Sequence, residues 1–219
     1  LDTSTWWGGV ALVLQDADGA APKVVAELGA DIQPSHEGHL LPRIEWLLGL
    51  AGWSKSDPDA YIATRGPGSF TGIRVGLGTI QGLGISSGRP CVGIDTLDAV
   101  VEAHGPAELE RVALIAAGRG DLYGARYDAA SSPPLRLEEP WLRPLADLAG
   151  KAIDSAILIF GPGCESEAAM LGGATPRSIA AAAGRLALLR GLPEGGGQAS
   201  LSPLYLRPPD AELKPRKGG

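Results

Sequence analysis

The sequence predicts an α/β protein made of two related halves with a cleft between them, and three observations predict it. Short apolar runs alternate with stretches whose apolar residues recur at helical spacing. A strand, a glycine turn and a helix occur twice. Ala60-Tyr61-Ile62-Ala63-Thr64 leads into Gly66-Pro67-Gly68, and Ala156-Ile157-Leu158-Ile159-Phe160 leads into Gly161-Pro162-Gly163, an offset of 95 residues. Each copy also follows a hairpin pattern. In such a fold a ligand sits in the cleft, outside the strand ends.

The composition fits this class and excludes others. A chain of 219 residues can bury an adequate core as one large domain or two lobes. Hydrophobic residues make up 44% and aromatics only 5%, so the core is built from Ala, Leu, Val and Ile. A net charge of −6 argues against a free-standing nucleic-acid binder, which carries a basic footprint. The two cysteines, Cys91 and Cys164, form no metal or redox motif, and a reduced, cytoplasmic protein is expected. The apolar run from Val75 to Ile85 is too short to span a bilayer, so no membrane association is expected. The chain opens on Leu1-Asp2, which reads as the end of a strand from which a few residues have been removed.

Taken in order, Leu1 to Thr5 and Gly8 to Leu14 form a hairpin, and Asp16-Ala17-Asp18-Gly19 turns into a strand from Val24 to Ile32. His39 to Trp53 is a helix, because Leu40, Leu41, Ile44, Leu47, Leu48 and Ala51 make one stripe and Pro42 fits only its first turn. A second helix runs from Ser69 to about Ser86, with Ile73, Leu77 and Ile80 on its apolar side. Cys91 to Ile94 is a strand and Leu97 to His104 a helix; Gly105-Pro106 then marks the boundary between a lobe of residues 1–104 and one of residues 105–219. Arg111 to Ala117 and Asp121 to Tyr127 form the second hairpin. After the second glycine turn come a helix to about Leu171 and an alanine-rich helix from Ser178 to Leu192. Glu194 to Gly197 is a loop, Leu201 to Arg207 an ordered segment, and the last residues a mobile basic tail with Lys214, Arg216 and Lys217.

The first glycine turn is the most informative stretch: Arg65-Gly66-Pro67-Gly68-Ser69-Phe70-Thr71-Gly72-Ile73-Arg74-Val75-Gly76. Glycine tolerates positive φ, proline pre-sets its own, and Ser69 is placed to cap the helix. A strand, a glycine turn and an open helix N-terminus make an anion site, and they make a plain β–α connection equally well. Three standard motifs fail. No Lys-Ser or Lys-Thr follows Gly72, Thr71 replaces the third glycine of a dinucleotide fingerprint, and Pro67 breaks a nucleophile elbow. Glycines at 72, 76, 78 and 82 each cost the helix up to roughly 1 kcal/mol relative to alanine. Close backbone approach explains such a repeat, with the chain's own sheet on one face and a partner helix on the other.

This motif resembles the signature of the TsaB (YeaZ) family, a subunit of the tRNA threonylcarbamoyladenosine synthesis machinery. Asp2-Thr3-Ser4-Thr5, His39-Leu40-Leu41-Pro42, Gly93-Ile94-Asp95-Thr96-Leu97 and Tyr205-Leu206-Arg207 match further pieces in family order. The resemblance implies a duplicated actin-like ATPase (ribonuclease H-like) fold. It also implies a non-catalytic subunit that pairs with the catalytic homologue TsaD and works with the ATPase TsaE in transferring threonylcarbamoyl to the tRNA adenosine next to the anticodon. The partner interface it implies involves His39, Leu40, Ile44, Leu47, Ile73, Gly76, Leu77 and Ile80, so that Gly76→Leu or Ile73→Asp would break pairing and spare the fold. The same helices could support a homodimer. Asp2 and Thr3 would lie in a first phosphate loop and, with Gly66, Gly68 and Ser69, mark a nucleotide or anion site. ATP or ADP belongs, on this reading, at the complex interface and not to the chain alone, and tRNA is reached mainly through the complex or the basic tail.

Where the sequence departs from related patterns, it departs from enzymes. The family usually carries Asp-Ala-Arg in the second hairpin, whereas this chain has Ala116-Ala117-Gly118 with Arg119 one place displaced. That removes the carboxylate which, in actin-like ATPases, helps to position metal and water. The catalytic sister family binds metal through histidines beside a Glu-Gly pair. Here His36-Glu37-Gly38-His39 has a different spacing and order, and His104 is the one other histidine, so no metal site is expected. A glycoprotease-like metal hydrolase or an actin-like-fold kinase is the enzymatic alternative, and a self-associating regulatory protein the other.

Overall fold

The structure is a computed structural model that describes residues 1–31, 40–148, 156–176, 178–193, 198–199 and 201–207. In the first half β1 (Trp7–Leu14) and β2 (Lys23–Asp31) pair antiparallel, β3 (Tyr61–Thr64) and β4 (Cys91–Ile94) pair parallel, and β9 (Gln198–Ala199) adds to the far edge of β4. The opening residues join the two pieces. Asp2 bridges to Gly9, while the Leu1 nitrogen donates to Ile62 and the Leu1 carbonyl accepts from Thr64 N–H at 3.0 Å. Strand neighbours therefore run β2, β1, residues 1–2, β3, β4, β9.

The helices follow from where the apolar stripes fall. α1 (Leu40–Leu50) buries Leu40, Ile44, Leu47 and Leu48 against Val10 and Leu12 of β1. α2 (Phe70–Ser87) buries Ile73, Leu77 and Ile80 against Ala63 and Cys91. Half-buried Val75 and Leu83 of α2 pack on the cluster that α1 builds, so the two helices lie as neighbours. α2 stops at Gly88, whose left-handed φ of 70° ends the helix with its N–H turned back to Gly84.

The second half runs through the same connections. β5 (Glu110–Gly118), β6 (Asp121–Tyr127) and β7 (Trp141–Pro144) are antiparallel neighbours, α4 (Leu145–Leu148) follows, and β8 (Ala156–Phe160) pairs parallel with β5. After α5 (Glu165–Leu171), Ala174 bridges parallel to Ile159 of β8, in the place that β4 takes beside β3. The sequence patterns do not predict β7, α4 or β9. β7 and β9 lack the continuous apolar run that marks the equally short β3 and β4, and α4 is a single turn.

α3 (Thr96–His104) and α6 (Ala180–Arg190) pack against each other where the halves meet. The largest apolar cluster straddles that junction. Ile94, Leu97, Val100 and Val101 meet Ala113, Tyr123, Tyr127, Ile159, Ile179 and Leu186. An acidic stripe on α3 adds charge to the same seam. Asp95 holds Arg65 at 2.6 Å and Arg136 at 2.8 Å. Asp98 holds Arg136, Arg190 at 2.8 Å and the hydroxyl of buried Tyr127 at 2.6 Å. Glu102 meets Arg185 at 2.7 Å. Residues three and four apart share one helix face, which is why a single helix can present all three carboxylates to four arginines. Among the described residues no helix is long and apolar enough to cross a membrane.

Candidate functional site: the cleft at the glycine turn

The first glycine turn is fixed from both sides. Arg65 N–H donates to Ile94, Thr96 N–H donates to Gly66, and the Thr96 hydroxyl accepts from Gly66 N–H at 3.2 Å. Gly66 (φ 108°) and Gly68 (φ 152°) occupy backbone regions that L side chains rarely adopt, and the Gly66–Pro67 peptide is cis. A side chain at Gly68 would collide with the Ser4 carbonyl. Ser69 caps α2 as its position predicts, its hydroxyl accepting from Gly72 N–H at 3.2 Å.

Beyond the turn lies a cleft of about 340 Å³. Gly68, Ser69, Phe70 and Thr71 form one lip, Ala116, Ala117, Gly118 and Tyr123 of the β5–β6 hairpin the other, and Leu204 to Arg207 and Trp6 complete it. The cleft thus joins the two halves at the strand ends. The first N–H groups of any helix have no carbonyl four residues back, and those of α2 open at this lip. Among the described residues that line the cleft Arg207 is the one that carries a charge, and its guanidinium is engaged: it donates to Ala117 O at 2.8 Å and pairs with Asp121.

The residues read as a phosphate loop lie elsewhere. Asp2 is fully buried, and both its oxygens accept hydrogen bonds. Ser4 N–H, the Ser4 hydroxyl and the Thr64 hydroxyl reach Oδ1 at 2.9, 2.7 and 2.7 Å, and the Thr5 hydroxyl reaches Oδ2 at 2.5 Å. The Thr3 hydroxyl donates to Gly72 O at 2.6 Å. Asp2, Thr3 and Gly66 are not among the residues lining the cleft, whereas Gly68 and Ser69 are. Asp2 and Thr3 hold the turn's foundations; Gly68 and Ser69 face the space.

The predicted partner face needs correction. Leu40, Ile44, Leu47, Ile73, Leu77 and Ile80 are all buried within the chain, and a side chain at Gly76 would collide with the Thr3 hydroxyl. Ile73→Asp and Gly76→Leu would therefore damage the fold itself. The physical reason is general: the widest apolar stripe of a helix goes to its own core. His39, the His-x-x-His pair, the loop 194–197 and the basic tail lie outside the described residues. The sequence already leaves a small-residue face of α2 for a partner, and Gly78 and Gly82 lie on it; the exposed apolar residues of the two helices are what sequence reasoning missed. Leu41, Trp46, Leu50 and Ile85 are 53, 57, 66 and 79% exposed, and a side chain at Gly78 or Gly82 would meet open space. Subtracting the core stripe from each helix and asking which apolar residues remain would have found them.

Two shifted groups bear on chemistry. Burial pushes the Cys164 thiol up to about 12, partly opposed by Ala116 N–H donating to its sulfur. Burial likewise raises the Glu102 carboxyl, with Arg185 and Arg111 pulling the other way. Neither lines the cleft. Among the described residues no three His, Cys, Asp or Glu side chains gather as a metal site.

Comparison with known proteins places this geometry. Residues 23–134 match the family model for TsaD, tRNA N6-adenosine threonylcarbamoyltransferase. The chain is 35% identical to the tRNA threonylcarbamoyladenosine biosynthesis protein TsaB of Escherichia coli over 42% of its length, and 38% identical to that of Haemophilus influenzae over 47%. Each match spans 41% of the relative. An uncharacterized Mycobacterium tuberculosis protein is 29% identical over 81% of this chain and 78% of its own. The solved structure of YeaZ from Pseudomonas aeruginosa superposes with a TM-score of 0.71 at 24% identity, covering 94% of this chain and 97% of that one, which establishes a shared fold. With the TsaD family model covering half of the chain and TsaB proteins of 35 and 38% identity among its relatives, the chain belongs to the TsaB (YeaZ) family.

Proposed function

We propose that this chain is a non-catalytic subunit of the machinery that makes threonylcarbamoyladenosine in tRNA, pairing with the catalytic homologue TsaD and working with TsaE. The observation that carries this is the exposure of Leu41, Trp46 and Leu50 on α1 and of Ile85 on α2, where open Gly78 and Gly82 share the Ile85 side of the helix. Exposed apolar patches of this kind mark interaction sites, and outward glycines let a second helix approach closely. The names of the Escherichia coli and Haemophilus influenzae relatives supply the pathway. The repeated order of connections in the two sheets supports a duplicated, actin-like arrangement whose lobes divide near Gly105, the proposed lobes being residues 1–104 and 105–219 except that β9 returns to the first sheet. The chain contributes a surface and not a reaction: the Asp2 oxygens are committed to Ser4, Thr5 and Thr64, and Arg207 is committed to Asp121.

The test is binding of TsaD to the wild-type chain and to Ile85→Glu and Trp46→Glu variants, alongside threonylcarbamoyl transfer to unmodified tRNA with TsaE and ATP. Affinity should fall by about a hundredfold, as for a central interface residue, with little change in melting temperature. Transfer should depend on this chain and fall in parallel. Unchanged affinity in both variants would sink the assignment of this face. A dimer of the chain alone that the same variants dissociate, with TsaD binding intact, would assign the face to self-association.

A further inference from the structure

The segment from Leu201 to Arg207 touches both halves within seven residues. On the first half, Leu204 N–H donates to Arg65 O at 2.7 Å and the Arg65 guanidinium donates to Ser202 O at 3.2 Å. The Tyr205 ring lies 4.7 Å from that of Phe70, and its hydroxyl accepts from Arg74 at 3.2 Å. The Arg74 guanidinium in turn covers Phe70 at 3.9 Å. Leu204 O lies so close to Gly66 that an added Cβ would come within 2.5 Å of it. On the second half, Arg207 is bound to Ala117 O and to Asp121, with 15% of the arginine side chain and 28% of the aspartate side chain exposed. Leu206 packs on the cluster that contains Ile115 and Tyr123.

The order of these contacts matters. Leu204 and Tyr205 sit at one lip of the cleft, and Arg207 sits at the other, so the segment crosses the opening. Arg207 is its one charged anchor to the second half. A guanidinium donating to a carbonyl and a carboxylate at a largely buried position is a strong, directional tie, which a lysine's point charge does not reproduce.

We propose that residues 201–207 are a latch that sets the opening of the cleft, with Arg207 as the positioning residue that fastens it to the β5–β6 hairpin. The latch holds whether or not TsaD binds the α1–α2 face.

The experiment is amide hydrogen exchange on the full chain, comparing wild type with Arg207→Ala, Arg207→Lys and Tyr205→Phe. In Arg207→Ala, exchange should accelerate by about tenfold or more at Leu204, Ser69 and Gly72, while Ala113 and Leu114 in β5 keep their protection, since local opening leaves the deepest core intact. Arg207→Lys should fall between the two, and Tyr205→Phe should accelerate exchange at Leu204 less than Arg207→Ala does. Unchanged exchange at the lips in Arg207→Ala would overturn the latch. So would acceleration spread evenly through β5, which would make Arg207 an ordinary stabilising residue.

Discussion

The two glycine turns begin alike and end differently. Gly66-Pro67-Gly68 opens an 18-residue helix capped by the Ser69 hydroxyl, and its glycine packs against backbone, the Ser4 carbonyl. Gly161-Pro162-Gly163 opens a seven-residue helix whose N-cap, Cys164, makes no side-chain cap bond. There the sulfur accepts from Ala116 N–H across the sheet, and Gly163 packs against a side chain, half-exposed Trp6. One local solution thus serves two purposes. In the first half it launches a helix with an inward face for the core and an outward face, with Gly78, Gly82 and Ile85, that the chain leaves uncovered. In the second half it closes a connection. Shared turn chemistry is evidence of shared construction, and the helix that follows decides the use.

The sharpest way to break this comparison is to put the same methyl group on both turns. Gly68→Ala sets a Cβ against the Ser4 carbonyl at a φ of 152°, and backbone cannot move aside cheaply. A loss of about 3 kcal/mol is expected, measured by denaturant unfolding. Gly163→Ala carries a φ of 87°, and its Cβ would come within 2.7 Å of Trp6 Cβ, which moves only with its backbone; the overlap is shallower than the 2.3 Å at Gly68, so about 2 kcal/mol is expected. Equal losses at the two positions would mean that the turns are interchangeable and that the contrast drawn from their neighbours is wrong.

A smaller difference should appear at the caps. Ser69→Ala removes the acceptor of Gly72 N–H and should cost about 1 kcal/mol. The outward glycines test the other end of the argument. Gly82 meets nothing within 4 Å, so Gly82→Ala should raise the chain's own stability by up to about 1 kcal/mol through helix propensity alone. The same change should weaken TsaD binding if a helix approaches there. A variant both more stable and unimpaired in binding would place the partner elsewhere on α2.

Much of this was legible in the sequence, and the failures share one cause. Helical spacing located α1 and α2, and the glycine turn located one lip of the cleft, because backbone constraints act on neighbouring residues. Periodicity reports which face of a helix is buried, not what buries it. It therefore offers no check on the interface that the family resemblance implies for Leu40, Ile44, Leu47, Ile73, Leu77 and Ile80, which fill the chain's own core. The aspartate at position 2 has the same history. Asp-Thr-Ser-Thr is compatible with a phosphate loop and with a buried carboxylate that ties residues 4, 5 and 64 together, and only the fold brings Thr64 to it. The second lip and the latch were beyond reach for a related reason, since Arg207 finds Ala117 and Asp121 across nearly ninety residues of chain.

The mildest test returns to Cys164, the residue that stands where Ser69 stands in the first turn. Its thiol is buried and pushed up to about 12 from an ordinary 9.0, so it stays protonated in the folded chain where the unfolded chain has already released the proton. Between those values the folded state binds more protons than the unfolded one. The contribution is therefore fully present below pH 9 and is lost as pH rises toward 12. Wild type should lose more stability than Cys164→Ala between about pH 8 and about pH 10, in denaturant titrations run at both. At the lower pH the folded protein's Cys164 should also resist alkylation by iodoacetamide, because the thiolate is the nucleophile and burial withholds it. Parallel pH profiles in the two proteins, or rapid alkylation of the native chain, would mean that the second turn is open to solvent. The contrast between a turn that reaches outward and one that closes inward would then be lost.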